Sequence, residues 1–86
     1  MSEKKFKVTV EIFGDTYTLK SDSHPDKVVQ IATFLNERMK KIANANSRLS
    51  PAKVAVLAAL NITEEYLRLE QDYRQLIQMV KEQKSQ

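Results

Sequence analysis

An unbroken heptad pattern occupies the last third of this 86-residue chain. Apolar residues recur there at alternating steps of three and four, the spacing of a coiled-coil seam. With the adjacent Ile77 they form what is called the seam below: Ala59, Ile62, Tyr66, Leu69, Tyr73, Leu76 and Val80. So short a chain offers no second helix long enough to cover this seam. The pattern therefore predicts self-association, most simply with another copy of the chain.

The composition leaves association as the main source of added stability. A chain of this size buries a limited fraction of its surface and usually needs disulfides, a metal or a partner subunit. The sequence contains no cysteine and one histidine, so we expect no disulfide, no Cys/His metal site and no cofactor. A hydrophobic content of 42% with 29% charged residues is typical of one folded domain.

The ends and the apolar runs indicate a location. The first five residues are polar and lack the apolar core of a signal peptide. No apolar run approaches the roughly 20 residues that a membrane-spanning helix needs. We therefore expect a cytoplasmic protein with no membrane partner.

The charge distribution is mildly basic. The net charge is +3, with the excess in the first 48 residues and a balance of charges from residue 49 onwards. A nucleic-acid-binding protein normally carries a denser basic stripe interleaved with aromatic residues. A nucleic-acid-binding dimer is therefore a weak alternative, and no nucleic-acid partner is expected.

Residues 5–20 have the pattern of a β-hairpin. Apolar residues alternate with polar ones from Phe6 to Ile12, the period of a half-buried strand. Gly14 and Asp15 form a favourable two-residue turn, because glycine accepts a positive φ without penalty. This turn would place Ile12 opposite Tyr17.

Two helices are predicted after the hairpin. The first spans about 24–44, with Ser23 as its cap, Pro25 in its first turn and one apolar stripe: Val28, Ile31, Ala32, Leu35, Met39 and Ile42. The second begins with Ser50 as its cap and Pro51 at its first position, and continues to about Lys84.

The second helix would be about 50 Å long at 1.5 Å per residue. Its segment 54–60 is apolar on nearly every side, so we expect that segment to be buried against the hairpin, the first helix and a second subunit. The predicted fold class is α+β. Residues 1–60 form a globular dimerisation head, and residues 61–86 form a projecting helix in an intermolecular coiled coil.

No arrangement of residues indicates catalysis, so we expect neither an enzyme nor a small-molecule substrate. His24 lies beside a proline at a helix start and is interpreted as a capping-region residue. The acidic residues of the second helix are interpreted as a solvated flank, with Glu70 alone on its face: Glu64, Glu65, Glu70 and Asp72.

Two short motifs carry a family resemblance. The segment Ile12-Phe13-Gly14 closes a strand near the N-terminus, and Ala58-Ala59-Leu60-Asn61-Ile62 follows much later. In this order and layout they resemble the ZapA family of bacterial cell-division proteins. The resemblance implies FtsZ as partner, cross-linking of its protofilaments, promotion of Z-ring assembly and lowered FtsZ GTPase activity at mid-cell. It also implies heads that dimerise and long helices that can join two dimers into an antiparallel tetramer.

The residues that would contact FtsZ are predicted at the end of the first helix, where basic residues suit an acidic partner. The candidate set is Lys40, Lys41, Asn44, Asn46 and Arg48. Phe13 is interpreted as a packing residue rather than a partner-facing one, and Asn61 as a residue that satisfies buried backbone at a subunit contact. A generic coiled-coil adaptor with another partner is the alternative function. The choice between dimer and tetramer and the helix orientation stay open.

Overall fold

The computed structural model describes residues 5–84. A hairpin of strands β1 (Phe6–Ile12) and β2 (Asp15–Ser21) is followed by helix α1 (Pro25–Ala45) and helix α2 (Pro51–Lys84). The predicted order of elements and the α+β class are confirmed. Residues 1–4 of the predicted head and 85–86 of the predicted projecting helix lie outside the described residues.

The hairpin register differs from the prediction by two residues. Ile12 pairs with Asp15, and Val10 rather than Ile12 lies opposite Tyr17. The turn residues are therefore Phe13 and Gly14, not Gly14 and Asp15. Because side chains alternate with a period of two, this shift leaves every apolar residue on the predicted face.

The turn requires positive φ at both central residues. Phe13 has φ 51° and Gly14 has φ 88°, the arrangement of a type I′ hairpin turn, whose twist matches that of the flanking strands. Glycine adopts this conformation freely, whereas a bulky aromatic residue does so at a cost. The Phe13 backbone N–H donates a 2.7 Å hydrogen bond to Oδ1 of Asn36 on α1, and this bond ties the turn to the helix.

Helix α1 begins one residue later than predicted and has a different cap. Nδ1 of His24 accepts a 3.1 Å hydrogen bond from the backbone N–H of Asp26. The prediction of Ser23 as the cap is wrong, since its backbone N–H donates instead to Oγ of Ser21. Pro25 occupies the first turn as expected, because its missing N–H has no helical partner there.

The apolar stripe of α1 is covered along only part of its width. Val28, Ala32 and Met39 are buried, but Ile31 is 59% exposed, contrary to the prediction. A two-stranded hairpin is too narrow to cover a whole helix face. Ile31 lies on the side of the stripe that the sheet does not reach.

The buried residues form two clusters. The first joins the hairpin to the start of α1: Val8, Val10, Val28 and Ala32. The second joins the end of α1 to the start of α2 through Met39, Val54 and Ala58. The half-buried Phe13 packs against this second cluster, which agrees with its interpretation as a packing residue.

Helix α2 is much longer than its contact with the rest of the chain. Oγ of Ser50 accepts a hydrogen bond from the backbone N–H of Lys53, which confirms the predicted cap. Within segment 54–60 only Val54 and Ala58 are buried in the single chain. The expected burial of the whole segment by the chain's own head is therefore wrong, because α1 covers one side of the helix and no other element reaches it.

Candidate assembly surfaces

The seam runs along the uncovered part of α2. Tyr66, Leu69 and Tyr73 are 60%, 68% and 63% exposed, and Leu76, Ile77 and Val80 are also accessible. Ala59 is exposed and Ile62 is half-buried. Burying a large apolar side chain contributes about 1.5–3 kcal/mol. A second helix laid along this surface would therefore gain a substantial free energy.

A second apolar face lies on the first half of the same helix. Val56, Leu60 and Leu67 are each more than half exposed. From the helical period, these residues point away from Val54 and Ala58, the positions that pack on α1. The first half of α2 therefore presents apolar surface on sides that its own head leaves open.

The head also contains an open apolar groove of about 490 Å³. Its walls come from all four elements: Ile12, Phe13, Asp15, Tyr17, Leu19, Leu35, Met39, Pro51, Ala52 and Ala55. Tyr17 and Leu19 are 45% and 41% exposed on the helix-facing side of the sheet. The groove is a hydrophobic surface that is continuous with the packed core.

A cluster of polar groups joins α1 to α2 beyond the last buried contact. Nη1 of Arg38 donates to Oδ1 of Asn61 at 2.6 Å and to Oε2 of Glu65 at 2.8 Å. Nη2 of the same side chain donates to Oε1 of Glu65 at 3.1 Å. The guanidinium also lies 5.0 Å from the ring centroid of Phe34. We call the Arg38, Asn61 and Glu65 side chains the clamp.

The clamp corrects two interpretations made from the sequence. Asn61 accepts a hydrogen bond within its own chain rather than serving backbone at a subunit contact. Glu65 forms an ion pair with α1 and is not a freely solvated flank. Glu70 is not alone on its face either, since it pairs with Arg74 across one helical turn at 3.5 Å.

The basic candidate residues lie at the end of α1 and in the following connection. All five are exposed: Lys40, Lys41, Asn44, Asn46 and Arg48. Within residues 5–84, Lys40, Lys41 and Arg48 form no ion pair, whereas three arginines of the helices are each paired with a glutamate. The positive charge available to a partner is therefore concentrated in this set.

The structure divides the candidate residues between two faces of α1. Lys41 lines a shallow cleft beside the clamp. Lys40 and Asn44 lie one and two turns after Asn36, on the side of the helix that holds the hairpin turn. Asn46 is at the C-cap of α1, where its Oδ1 accepts from the backbone N–H of Arg48.

Sequence reasoning missed two residues that position these surfaces. Asn36 holds the hairpin turn, and Arg38 connects the two helices. Their partners lie 23 and 27 residues away along the chain, so local periodicity carries no sign of them. The available signal was polarity, since both residues interrupt α1 beside its apolar stripe.

Two further searches concern chemistry. Across residues 5–84, no helix combines the length and apolar character needed to span a membrane. The same part of the chain holds no group of three or more His, Cys, Asp or Glu side chains placed to bind a metal ion.

Known proteins share this sequence and this arrangement. The sequence profile of the family described as "Cell division protein ZapA" matches residues 8–86. A cell division protein ZapA from Shouchella clausii (strain KSM-K16) is 39% identical over 72 residues, which cover 84% of this chain and 92% of the relative. Another from Geobacillus sp. (strain WCH70) is 31% identical over 84 residues, which cover 98% of this chain and 97% of the relative.

A solved structure agrees with the fold as well as the sequence. It is described as a ZapA mutant dimer from Geobacillus stearothermophilus, with 31% identity, a TM-score of 0.75 and coverage of 93% of each chain. The resemblance carried by the two short motifs is thus confirmed along almost the whole sequence. The chain belongs to the ZapA family of cell division proteins.

Proposed function

We propose that this chain forms a symmetric oligomer that binds FtsZ and cross-links its protofilaments. Membership of the ZapA cell division family supports a role in division. The observation that carries the cross-linking is the exposed seam, because it offers a surface that a second copy would complete. Localisation at the cytoplasmic face of the mid-cell division site belongs to the same proposal.

Oligomer formation follows from two apolar surfaces. The head groove, with Tyr17 and Leu19 on its wall, is proposed to bury against a second head, so that residues 1–60 act as the dimerisation head. The seam of residues 61–86 is proposed to pair with the seam of another copy, and two dimers joined in this way form a tetramer. The dimer reported for the solved relative from Geobacillus stearothermophilus supports the first step.

Cross-linking follows from symmetry. A closed oligomer carries as many copies of a binding patch as it has subunits. Two weak contacts on one oligomer hold neighbouring filaments through effective concentration, without a tight single contact. Filaments held side by side lose subunits more slowly, and we propose this bundling as the cause of lowered GTPase activity.

The patch proposed to bind FtsZ comprises Lys40, Lys41, Asn44, Asn46 and Arg48. Its lysines and its arginine have no acidic partner within residues 5–84, so their charge is available to an acidic surface. Electrostatic contacts of this kind raise association rates and weaken as salt rises.

A pelleting assay tests the proposal. FtsZ with GTP is centrifuged with the wild-type chain, with Leu76→Glu and with the adjacent Gln75→Glu. Both variants add one negative charge, but only Leu76 belongs to the seam. The proposal predicts bundles that pellet with wild type and Gln75→Glu, and a loss of pelleting with Leu76→Glu.

The same assay separates the alternatives. Full bundling by a Leu76→Glu variant shown to be monomeric would contradict cross-linking by the oligomer. Failure of the wild-type chain to pellet with FtsZ, in the presence or absence of GTP, would instead favour a generic adaptor with a different partner.

A further inference from the structure

We propose that Arg38 is a positioning residue that fixes the direction in which α2 leaves the head. It acts through Asn61 and Glu65, and the direction it fixes sets the separation of the filaments that the oligomer bridges. The statement about separation rests on the proposed function, whereas the statement about direction concerns the chain alone.

The position of the clamp along α2 is the first reason. The last α2 residue that is fully buried against the head is Ala58. Glu65 lies seven residues further on, which is about 10 Å along the helix at 1.5 Å per residue. A single apolar contact near one end of a long helix leaves the other end free to swing. A second contact 10 Å away, at about that distance, restricts the swing.

The geometry of the clamp is the second reason. A guanidinium presents its N–H donors in a rigid plane, and two of its nitrogens here meet three acceptor atoms on two successive turns of α2. Such an arrangement fixes the rotation of α2 as well as its distance. A lysine ammonium at the same place is a point charge that lacks this planar fork.

The environment of Arg38 is the third reason. Its side chain is 18% exposed, although Glu65 remains 51% exposed. Phe34 lies against the guanidinium on α1, so the arginine is held from its own helix before it reaches α2. Partial burial reduces screening by salt, and a rigid base keeps the side-chain entropy cost low.

The consequence for assembly is geometric. The seam begins at Ala59 and runs past the clamp to Val80, so an angular change at Glu65 is amplified over the remaining length of the helix. In an oligomer joined through the seams, this angle determines where the other heads lie. Lys41, a member of the proposed FtsZ patch, lines the same cleft as Arg38 and Glu65.

The test measures the direction of α2 in solution. The chain has no cysteine, so spin labels can be attached at Lys7→Cys on the hairpin and Gln75→Cys on α2. The labelled chain is mixed with an excess of unlabelled chain, so that the measured distance arises within one subunit. The variants are Arg38→Ala, Arg38→Lys, Glu65→Gln and the exchange Arg38→Glu with Glu65→Arg. Arg68→Ala is the matched control, since it removes an arginine–glutamate pair that lies within α2.

The expected result is a single narrow distance distribution for wild type and for Arg68→Ala. Arg38→Ala loses the narrow distribution, Arg38→Lys does not restore it, and the charge exchange recovers it. A narrow, unshifted distribution for Arg38→Ala, or an exchange variant as broad as Arg38→Ala, would overturn the proposal. Should Arg38→Ala fail to fold by circular dichroism, the milder Glu65→Gln variant decides by the same criterion.

Electron cryomicroscopy of FtsZ bundles tests the statement about separation. Wild type and Arg68→Ala are expected to give a uniform spacing between filaments, and Arg38→Ala a spread of spacings. Uniform spacing with a spin-labelled Arg38→Ala chain that is broad in solution would overturn the link to spacing. If wild type forms no bundles, the proposed function fails, and the distance measurement still judges the clamp.

Discussion

The backbone N–H of Phe13 donates a 2.7 Å hydrogen bond to the side chain of Asn36, which lies 23 residues further along the chain. The bond joins the hairpin turn to the middle of α1 and holds an aromatic residue at φ 51°. A bulky residue at positive φ persists when its surroundings over-determine it. Here the surroundings are this hydrogen bond and the packing of Phe13 against Met39, Val54 and Ala58.

Replacement of Asn36 by alanine is therefore expected to destabilise the head. The variant leaves a partly buried N–H without its partner, at a cost of about 1–3 kcal/mol. Urea unfolding at a fixed protein concentration measures the loss, because association contributes to apparent stability. Asn44→Ala, at an exposed position on the same helix, should change the free energy of unfolding by less than about 0.5 kcal/mol. Equal effects of the two substitutions would contradict the role given to Asn36.

Gly14→Ala tests the turn from its other residue. The added Cβ meets no atom within 4 Å, so any cost comes from the backbone at φ 88° rather than from a steric clash. We expect a destabilisation of about 1–2 kcal/mol, and Gly14→Asn should cost less because asparagine tolerates positive φ. Thermal unfolding followed by circular dichroism compares the two. An alanine variant as stable as wild type would show that the turn does not require glycine.

The turn also shows the limit of what the sequence can predict. Alternation of apolar residues correctly gave the strands and their buried face. It could not distinguish Gly14–Asp15 from Phe13–Gly14 as the turn, since the two registers differ by two residues and bury the same side chains. The choice depends on Asn36, a contact that is distant in sequence and therefore invisible to local patterns.

The helices follow the same division. Proline and serine positions gave the bounds of α1 and α2 within one residue, apart from the cap at His24. Heptad spacing identified the seam, but burial of segment 54–60 was overestimated because the head is smaller than the apolar surface it would have to cover. The clamp was not predicted, since the pairing of Arg38 with Glu65 depends on how the two helices cross.

The basic patch gives a prediction about binding. Lys40→Glu combined with Lys41→Glu is expected to weaken FtsZ binding about tenfold, equivalent to about 1.4 kcal/mol, because it replaces attraction to an acidic surface by repulsion. Lys7→Glu combined with Lys20→Glu makes the same change in net charge on the cross-strand pair of the hairpin. Co-sedimentation over a range of salt concentrations measures both variants.

The outcome of that comparison locates the contact. Wild-type binding that falls with salt, together with a loss confined to the Lys40 and Lys41 variant, supports the patch at the end of α1. Binding that is insensitive to salt, or an equal loss in the hairpin variant, would place the FtsZ contact elsewhere or reduce it to an effect of net charge.

Sedimentation equilibrium over a range of protein concentrations tests most directly whether the seam of α2 is completed by another copy. The predicted result is an oligomer of two or more subunits for wild type and for Gln75→Glu, with a lower mass for Leu76→Glu because an unpaired charge is costly to bury. A folded wild-type chain that sediments as a single subunit at every concentration, or three identical masses, would contradict the account.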